Sequence, residues 1–378
     1  MNLAVIRRFG SLALVSVVAL AGLAGCANSK RPKPSDLGPN PATVGARLAW
    51  SANIGSVEFP LVSRVVGNLV YLAGSDGAVV AIDARTGGDL WRVNLGVKLA
   101  AGVGSDGRYA TVVSRDGELI NLDGGKEIWR QKLTALTLTA PLVAGARVFV
   151  LSADRSVTAF DAQSGRKLWA HPRSGDALAL GKPGIILAVG ETVVVGLGGR
   201  LVGLQPQNGK IRWEAQVANS RGTNEVERLV DLVSGISRKA DQVCARAFQS
   251  SVGCVDAARG SLLWSKAANG STGLDGDGDL IFGTEQDGNV VAWKRTDGER
   301  LWMSEALRYR RLTAPAVLGQ SIVVGDDSGM LHFLSRDGGT TQNRVMTDGS
   351  PIVVTPVLAG STLVTVTQRG GIFGFKSE

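Results

Sequence analysis

Two independent repeats and the fit of the chain's two ends predict an all-β chain closed into an eight-bladed β-propeller of four-stranded antiparallel blades. The first repeat is a short apolar strand, an acidic or polar residue, a glycine turn, and tryptophan four residues after the glycine. It runs Gly87 to Trp91, Gly125 to Trp129, Gly165 to Trp169, Gly209 to Trp213, Gly260 to Trp264 and Gly298 to Trp302. A period of roughly forty residues is too short for a domain and marks one supersecondary unit copied around an array. The second repeat is a tight polar turn between strand-like runs, at Asp76-Gly77, Asp116-Gly117, Asp154-Arg155, Gly198-Gly199, Ser250-Ser251, Asp287-Gly288, Ser328-Gly329 and Arg369-Gly370. It counts eight units. Several are Asp-Gly, as a two-residue hairpin would require, since both of its central residues need positive φ.

One unit reads as four strands: Ala140 to Gly145, Arg147 to Ser152, Ser156 to Asp161 and Arg166 to Trp169, each short and rich in Val, Leu and Ala. Pro60, Pro141, Pro315 and Pro356 stand at the entry of first strands, where a missing N–H costs little. No long stretch after the N-terminal leader has helical periodicity. Radially repeated four-stranded units make a propeller, which protects its sheet edges by closing on itself. The eighth unit ends after Gly371 to Phe375 without a fourth strand, while Arg47 to Trp50 is a fourth strand without a unit, so the N-terminal strand is expected to complete the last blade. The tryptophan-equivalent positions then run Trp50, Trp91, Trp129, Trp169, Trp213, Trp264, Trp302 and Gln342, with Trp293 outside the series on a third strand. A large apolar plate at one place in each blade reads as interblade core rather than a ligand-stacking site.

Residues 1–25 carry Arg7 and Arg8, then an uncharged apolar run from Leu12 to Leu23, then small residues. This is the pattern of a secretory signal, too short to span a bilayer comfortably. Leu23-Ala24-Gly25-Cys26 looks like the lipobox of bacterial lipoproteins, which implies cleavage before Cys26 and acylation of its thiol. Buried acyl chains contribute about 0.8 kcal/mol per CH₂, so several of them hold a soluble domain stably. Ala27 in place of Asp resembles outer-membrane sorting. Asn28 to Pro41, with Pro32, Pro34, Pro39 and Pro41, reads as an extended tether. The expected organisation is thus a signal over 1–25, a lipidated cysteine and tether over 26–42, and one propeller over 43–378.

Removing the signal lowers the formal charge from +8 to +6. That modest excess is spread along the chain without aromatic-interleaved basic clusters, which points away from nucleic acid. A 44% hydrophobic content supplies a large core, and 50 glycines suit eight sets of turns. Cys244 and Cys254 lie on the two arms of the fifth hairpin and can form a disulfide in an oxidising compartment, or remain as buried thiols. The only histidines, His171 and His332, lie far from the cysteines in sequence and no CxxC occurs, so no metal site is expected. Asp275-Gly276-Asp277-Gly278-Asp279 suggests a calcium loop superficially, but Leu280 and Gln286 occupy the positions where an EF-hand needs Gly and Glu. No GxSxG, HExxH or Walker sequence is present. No catalytic residue is nominated.

The repeat Val157-Thr158-Ala159-Phe160-Asp161-Ala162-Gln163-Ser164-Gly165-Arg166-Lys167-Leu168-Trp169 resembles that of quinoprotein propellers. Dehydrogenases of that kind use pyrroloquinoline quinone, calcium and acidic residues, and many carry adjacent cysteines, which this chain lacks; the resemblance supports the fold, not the reaction. A resemblance over most of the chain is to the BamB family, propeller lipoproteins of the outer-membrane β-barrel assembly (BAM) machine. Arg311-Leu312-Thr313-Ala314-Pro315, then Val323 to His332, resembles that family's penultimate blade. Glu225-Val226-Glu227-Arg228-Leu229-Val230-Asp231 resembles its acidic interblade loop.

The resemblance implies a non-catalytic scaffold without a cofactor beyond the lipid on Cys26, anchored to the outer membrane and facing the periplasm. Its partners would be the POTRA region of BamA, other BAM components and nascent outer-membrane proteins. Two neighbouring loops meet BamA in that family, implying Leu178 and Leu180 as an apolar anchor and Arg228 and Asp231 as charge and register. The chain departs from the pattern at Gly181, where a basic residue is expected and Lys182 follows one place later, and at Val233, where a second acid is expected. Leu178 and Leu180 are flanked by Gly175, Gly181 and Pro183, which suits displayed residues rimmed by charge; the alternative is that they begin the fourth blade's inner strand. Two other functions fit the repeat: a quinone-dependent oxidoreductase, and a periplasmic propeller holding a ligand in its channel.

Overall fold

The structure, a computed structural model, describes residues 32–172, 180–219 and 229–377. The residues from Ser35 onward form one compact unit, and those up to Pro34 a separate one. The described strands make eight four-stranded antiparallel sheets, with no helix among the described residues. Blades 1 to 7 are continuous in sequence, over 64–94, 99–132, 142–171, 186–216, 232–267, 274–304 and 316–346. Blade 8 is composite. Its strands Val357–Ala359, Thr362–Val366 and Gly371–Lys376 are completed by Arg47–Asn53, which pairs with Gly371–Lys376 from Arg47 opposite Lys376 to Asn53 opposite Gly371. The first strand of blade 8 also touches that of blade 1, and the ring closes as an eight-bladed β-propeller.

Position in the blade dictates residue type. Second and third strands are covered on both faces by neighbouring blades and are mostly apolar, as in Leu69–Ala73 and Ala78–Asp83. Fourth strands form the outer edge, so Asp89–Asn94 has only its tryptophan and Val93 partly covered. Charged residues on this edge oppose pairing with other chains.

The repeated glycine and tryptophan do not serve the same junction. Each indole lies against the turn glycine of the next blade: Trp50 on Gly87, Trp91 on Gly125, Trp129 on Gly165, Trp169 on Gly209, Trp213 on Gly260, Trp264 on Gly298 and Trp302 on Gly339. These glycines have φ between +66° and +85°. A Cβ on Gly87 would stand 2.5 Å from the Trp50 ring. Most of the indoles also donate to a carbonyl three residues before that glycine, Trp50 to Ala84 at 2.7 Å, Trp129 to Ala162 at 2.8 Å, Trp169 to Pro206 at 2.8 Å, Trp264 to Arg295 at 2.9 Å and Trp302 to Arg336 at 3.0 Å. Trp213 keeps the ring contact but its buried N–H has no such partner.

Two details of the sequence reading are corrected here. The eighth tryptophan-equivalent position is Asn343, not Gln342. Phe333 pairs with Asn343 as Ala292 pairs with Trp302, and the positive-φ turn glycine is Gly339, one residue later than the count assumed. The eight hairpins fall where expected, but only Gly198-Gly199, between the paired Leu197 and Arg200, is a two-residue turn. Gly77 N–H donates to Gly74 O, Gly74 N–H donates to Ala78 O, and only Gly77 in that loop has positive φ. This is a three-residue loop ending in one left-handed residue, so a single glycine suffices.

Blade 7 has no such turn to lean on in blade 8, because the fourth strand there, Arg47–Asn53, does not follow the third in sequence. Residues 35–44, which the sequence reading counted mostly as tether, occupy that place along the outer strand Thr341–Met346. Asn343 Nδ2 donates to Val44 O at 2.7 Å, the bond an indole makes elsewhere. Arg344 grips the carbonyls of Leu37 at 2.7 Å, Gly38 at 3.1 Å and Pro39 at 2.6 Å. Asn40 donates to Asn343 Oδ1 at 2.9 Å, Thr43 N–H to Gln342 O at 2.8 Å, and Ser35 N–H to Arg308 O at 3.0 Å, while Leu37 packs against the buried cluster that Trp302 also covers.

The indole contact gives a prediction. Gly190 (φ +51°) has nothing within 4 Å of a built Cβ, so Gly190→Ala carries only the left-handed penalty of about 1 kcal/mol. Gly87→Ala adds a collision with Trp50 and should cost about 3 kcal/mol or more in urea unfolding.

Candidate functional site

One face of the ring carries the hairpins between second and third strands together with the connections between blades. On it the connection from blade 3 to blade 4 meets that from blade 4 to blade 5. Asp231 Oδ2 accepts the Leu180 backbone N–H at 2.8 Å, and its Oδ1 accepts Arg155 Nη2 at 2.8 Å and Nε at 3.1 Å. Both ionic side chains are sheltered, 15% exposed for Asp231 and 12% for Arg155. The Asp231 carbonyl also accepts Phe248 N–H at 3.0 Å from the blade 5 hairpin. Lys182 lies over the Phe248 ring at 5.3 Å and donates to Ser271 O at 3.1 Å, with burial lowering its pKa. One carboxylate therefore joins the hairpin of blade 3 to both connections.

Leu180 is half-buried and outside any strand, ahead of the blade 4 inner strand Ile186–Val189. Leu178, Arg228 and the lipidation candidate Cys26 lie outside the described residues. Asp231, expected to offer charge to a partner, has both oxygens engaged within the chain. Arg155 was missed except as a turn residue. Its signal was present: it stands where most of the other hairpins have glycine, at φ +67°, a conformation costing about 1–2 kcal/mol for a non-glycine residue.

Other candidates resolve into structural roles. Cys244 and Cys254 face each other on adjacent strands, joined by a disulfide and buried among Trp264, Trp293 and Ile281. Asp275 Oδ2 accepts the Val317 N–H of the next blade at 2.8 Å, and Asp277 meets Arg336 of that blade at 2.5 Å. Asp326 and His332 form a buried pair at 2.9 Å beside Arg310, with Asp326 Oδ1 accepting Ser328 N–H, Ser328 Oγ–H and Met330 N–H. Among the described residues no three or more His, Cys, Asp or Glu side chains converge as a metal site.

A cavity of about 390 Å³ follows the inner strands of blades 1 to 5, lined by groups such as Val62, Leu142, Ile186 and Ile236. Its charged lining residues are Arg64 and Arg238, each bonded to a backbone carbonyl, Ser105 at 2.9 Å and Ala188 at 2.8 Å. Among the described residues no carboxylate lines it, so the acidic and calcium-holding groups of a quinone-dependent oxidoreductase have no counterpart in that lining.

An all-β ring of eight four-stranded sheets, with its hairpins and interblade connections on one face, defines the class as an eight-bladed β-propeller. The family model for the outer membrane protein assembly factor BamB matches residues 75–304. The chain is 36% identical to the BamB of Burkholderia pseudomallei over 93% of its length and 94% of that protein, and 33% identical to that of Bordetella pertussis over 96% and 95%. The crystal structure of Moraxella catarrhalis BamB superimposes with a TM-score of 0.79 at 24% identity, covering 88% of this chain and 99% of that one. A quinohemoprotein alcohol dehydrogenase from Comamonas testosteroni, with a TM-score of 0.67 at 16% identity over 92% and 78%, shares the fold alone. The chain belongs to the BamB family.

Two aspartates, the buried Asp326 and the partly buried Asp275, should respond oppositely to substitution. Burial opposes ionisation of Asp326, but bonds from His332, Ser328 and Met330 outweigh it and hold its pKa well below the carboxylate range. Its stabilisation is present above the unfolded pKa of about 4 and lost as pH falls through the folded value. Burial outweighs the bonds from Val317 and Gly276 and raises the pKa of Asp275, so its charge is less well supported than that of Asp326. Asp326→Asn should lower stability by about 3 kcal/mol at pH 7 and flatten the acid limb of melting temperature against pH. Asp275→Asn, which still accepts from Val317, should leave the pH 7 melting temperature unchanged or raise it.

Proposed function

We propose that this protein is a non-catalytic, lipid-anchored scaffold of the outer-membrane protein assembly machine. In this reading it faces the periplasm and binds the POTRA region of BamA through the loops joined at Asp231. Other BAM components and nascent outer-membrane proteins would be held in the same neighbourhood. The relatives' shared name supports membership of the assembly machine. The observation that carries the site is the direct bond between Leu180 N–H and Asp231, two residues that sequence resemblance assigns to separate loops of one interface.

Its mechanism would be positional. Apolar anchors at the centre of an interface commonly carry about 2 kcal/mol or more each, and charges at the rim less. A loop already tied at both ends loses little entropy when it docks. Asp231 would act by fixing Leu180 and its own loop, with Arg155 as the positioning residue beneath, while raised local concentration does the rest.

Leu178→Ala with Leu180→Ala should abolish co-purification with BamA while the melting temperature stays near wild type. Loss of stability in step with binding would place the leucines in the core and refute the site. Asp231→Ala should reduce both, because it strips a sheltered arginine and a backbone N–H of an acceptor. Cys26→Ser should leave the domain folded yet release it from membranes; unchanged fractionation with the outer membrane would exclude lipid anchoring.

A further inference from the structure

The tether does not leave the propeller at random. Ser35, the first residue of the compact unit, is bonded by its N–H to Arg308 O, and its own carbonyl accepts from Arg310 Nη2 at 3.4 Å. Arg308 and Arg310 belong to the connection from blade 6 to blade 7, which lies on the hairpin face: Tyr309 N–H donates to Asp287 O in the blade 6 hairpin. From there the strap runs along blade 7 toward the opposite face. Arg344 meets residues 37–39, Asn343 meets Asn40 and Val44, and Gln342 meets Thr43, an order antiparallel to Thr341–Met346. The exit point is therefore fixed by the fold and sits on the face that carries Leu180 and Asp231.

We propose that the hairpin face at blades 6 and 7 is the side of the propeller held toward the inner surface of the lipid bilayer, and that the Arg344 clamp sets this orientation. The inference rests on the lipid-anchor reading of Cys26. Ser35 lies nine positions after Cys26, and that length of chain fully extended reaches about 30 Å. Turning the opposite face to the membrane would require the tether to wrap past a blade edge about 20 Å tall, leaving little reach. Without the clamp the free chain would begin at Arg47 instead of Ser35, on the far face, and the leash would more than double in length. The strap converts a flexible attachment into one with a defined up and down. It also brings the proposed partner loops to the membrane-facing side, where the anchor can align them with a partner embedded in the same bilayer.

The test uses the full-length lipidated protein bound to vesicles that carry an acceptor dye on a lipid headgroup. The remaining cysteines are acylated or disulfide-bonded on this reading, so a single introduced thiol takes the donor dye. Asp327→Cys places it on the exposed blade 7 hairpin and Gln320→Cys on the exposed opposite turn of the same blade. Energy transfer should be about twofold or more greater from position 327 than from position 320, given their separation of about 20 Å. Arg344→Ala with Asn343→Ala should erase the difference while flotation with vesicles persists. If that variant fails to fold, a Gly-Ser insertion between residues 28 and 33, outside the compact unit, should reduce the difference without touching the propeller. Equal transfer from both positions in protein that floats, or greater transfer from position 320, would overturn the orientation while leaving the anchor intact. Failure to float would overturn the anchor, and the orientation with it.

Discussion

The contact on which this ring depends is an indole plate pressed against a glycine of the next blade. It fixes the spacing between adjacent sheets, because a glycine with positive φ allows an approach that no Cβ would permit, and it fixes their angle, because the indole N–H reaches a carbonyl in the same turn. Neither partner works alone. A tryptophan facing alanine would stand off, and a glycine facing a small side chain would leave a cavity. The remaining interblade links, such as Asp275 to Val317 and Arg336 to Asp277, add polar register to a separation already set by apolar contact.

Once that separation is set, irregular loops have only two places to go, and the polar groups follow. Hairpins and interblade connections gather on one face, where they must find partners among themselves because the sheets have none to offer. Arg155, Asp231 and the Leu180 N–H are one such set, and Asp326, His332 and Arg310 another. The first set ties the blade 3 hairpin to the connections on either side of blade 4, and it holds those loops in fixed register.

The fold was legible because its signals are local and repeated. Trp at a constant spacing from Gly, a polar turn in every unit and the two incomplete ends required no knowledge of distant contacts. The misplacement of Asn343 had a physical origin: blade 7 faces the chain break, so the usual indole was replaced by an amide bonding a strap from 300 residues away. The hairpin geometry was misjudged because Asp-Gly suits both a two-residue turn and a three-residue loop. Of the interface, the proximity of Leu180 to Asp231 was legible through family resemblance. The role of Arg155 was not, since nothing in the order of residues reveals that an arginine in one blade's hairpin is held by an aspartate 76 positions later. Likewise the strap looked like linker, because proline-rich chain reads as extended whether it is free or seated.

The composite eighth blade has a consequence for how such a chain is made. Its outer strand, Arg47–Asn53, is synthesised some 320 residues before its partner, Gly371–Lys376. Joining ends some 320 residues apart costs a flexible chain about 5 kcal/mol of closure entropy, and the cost is met only when every intervening blade is already stacked. Until Gly371–Lys376 emerges, Arg47–Asn53 remains an unpaired edge, so closure of the ring waits on that strand and the seam stays open without it.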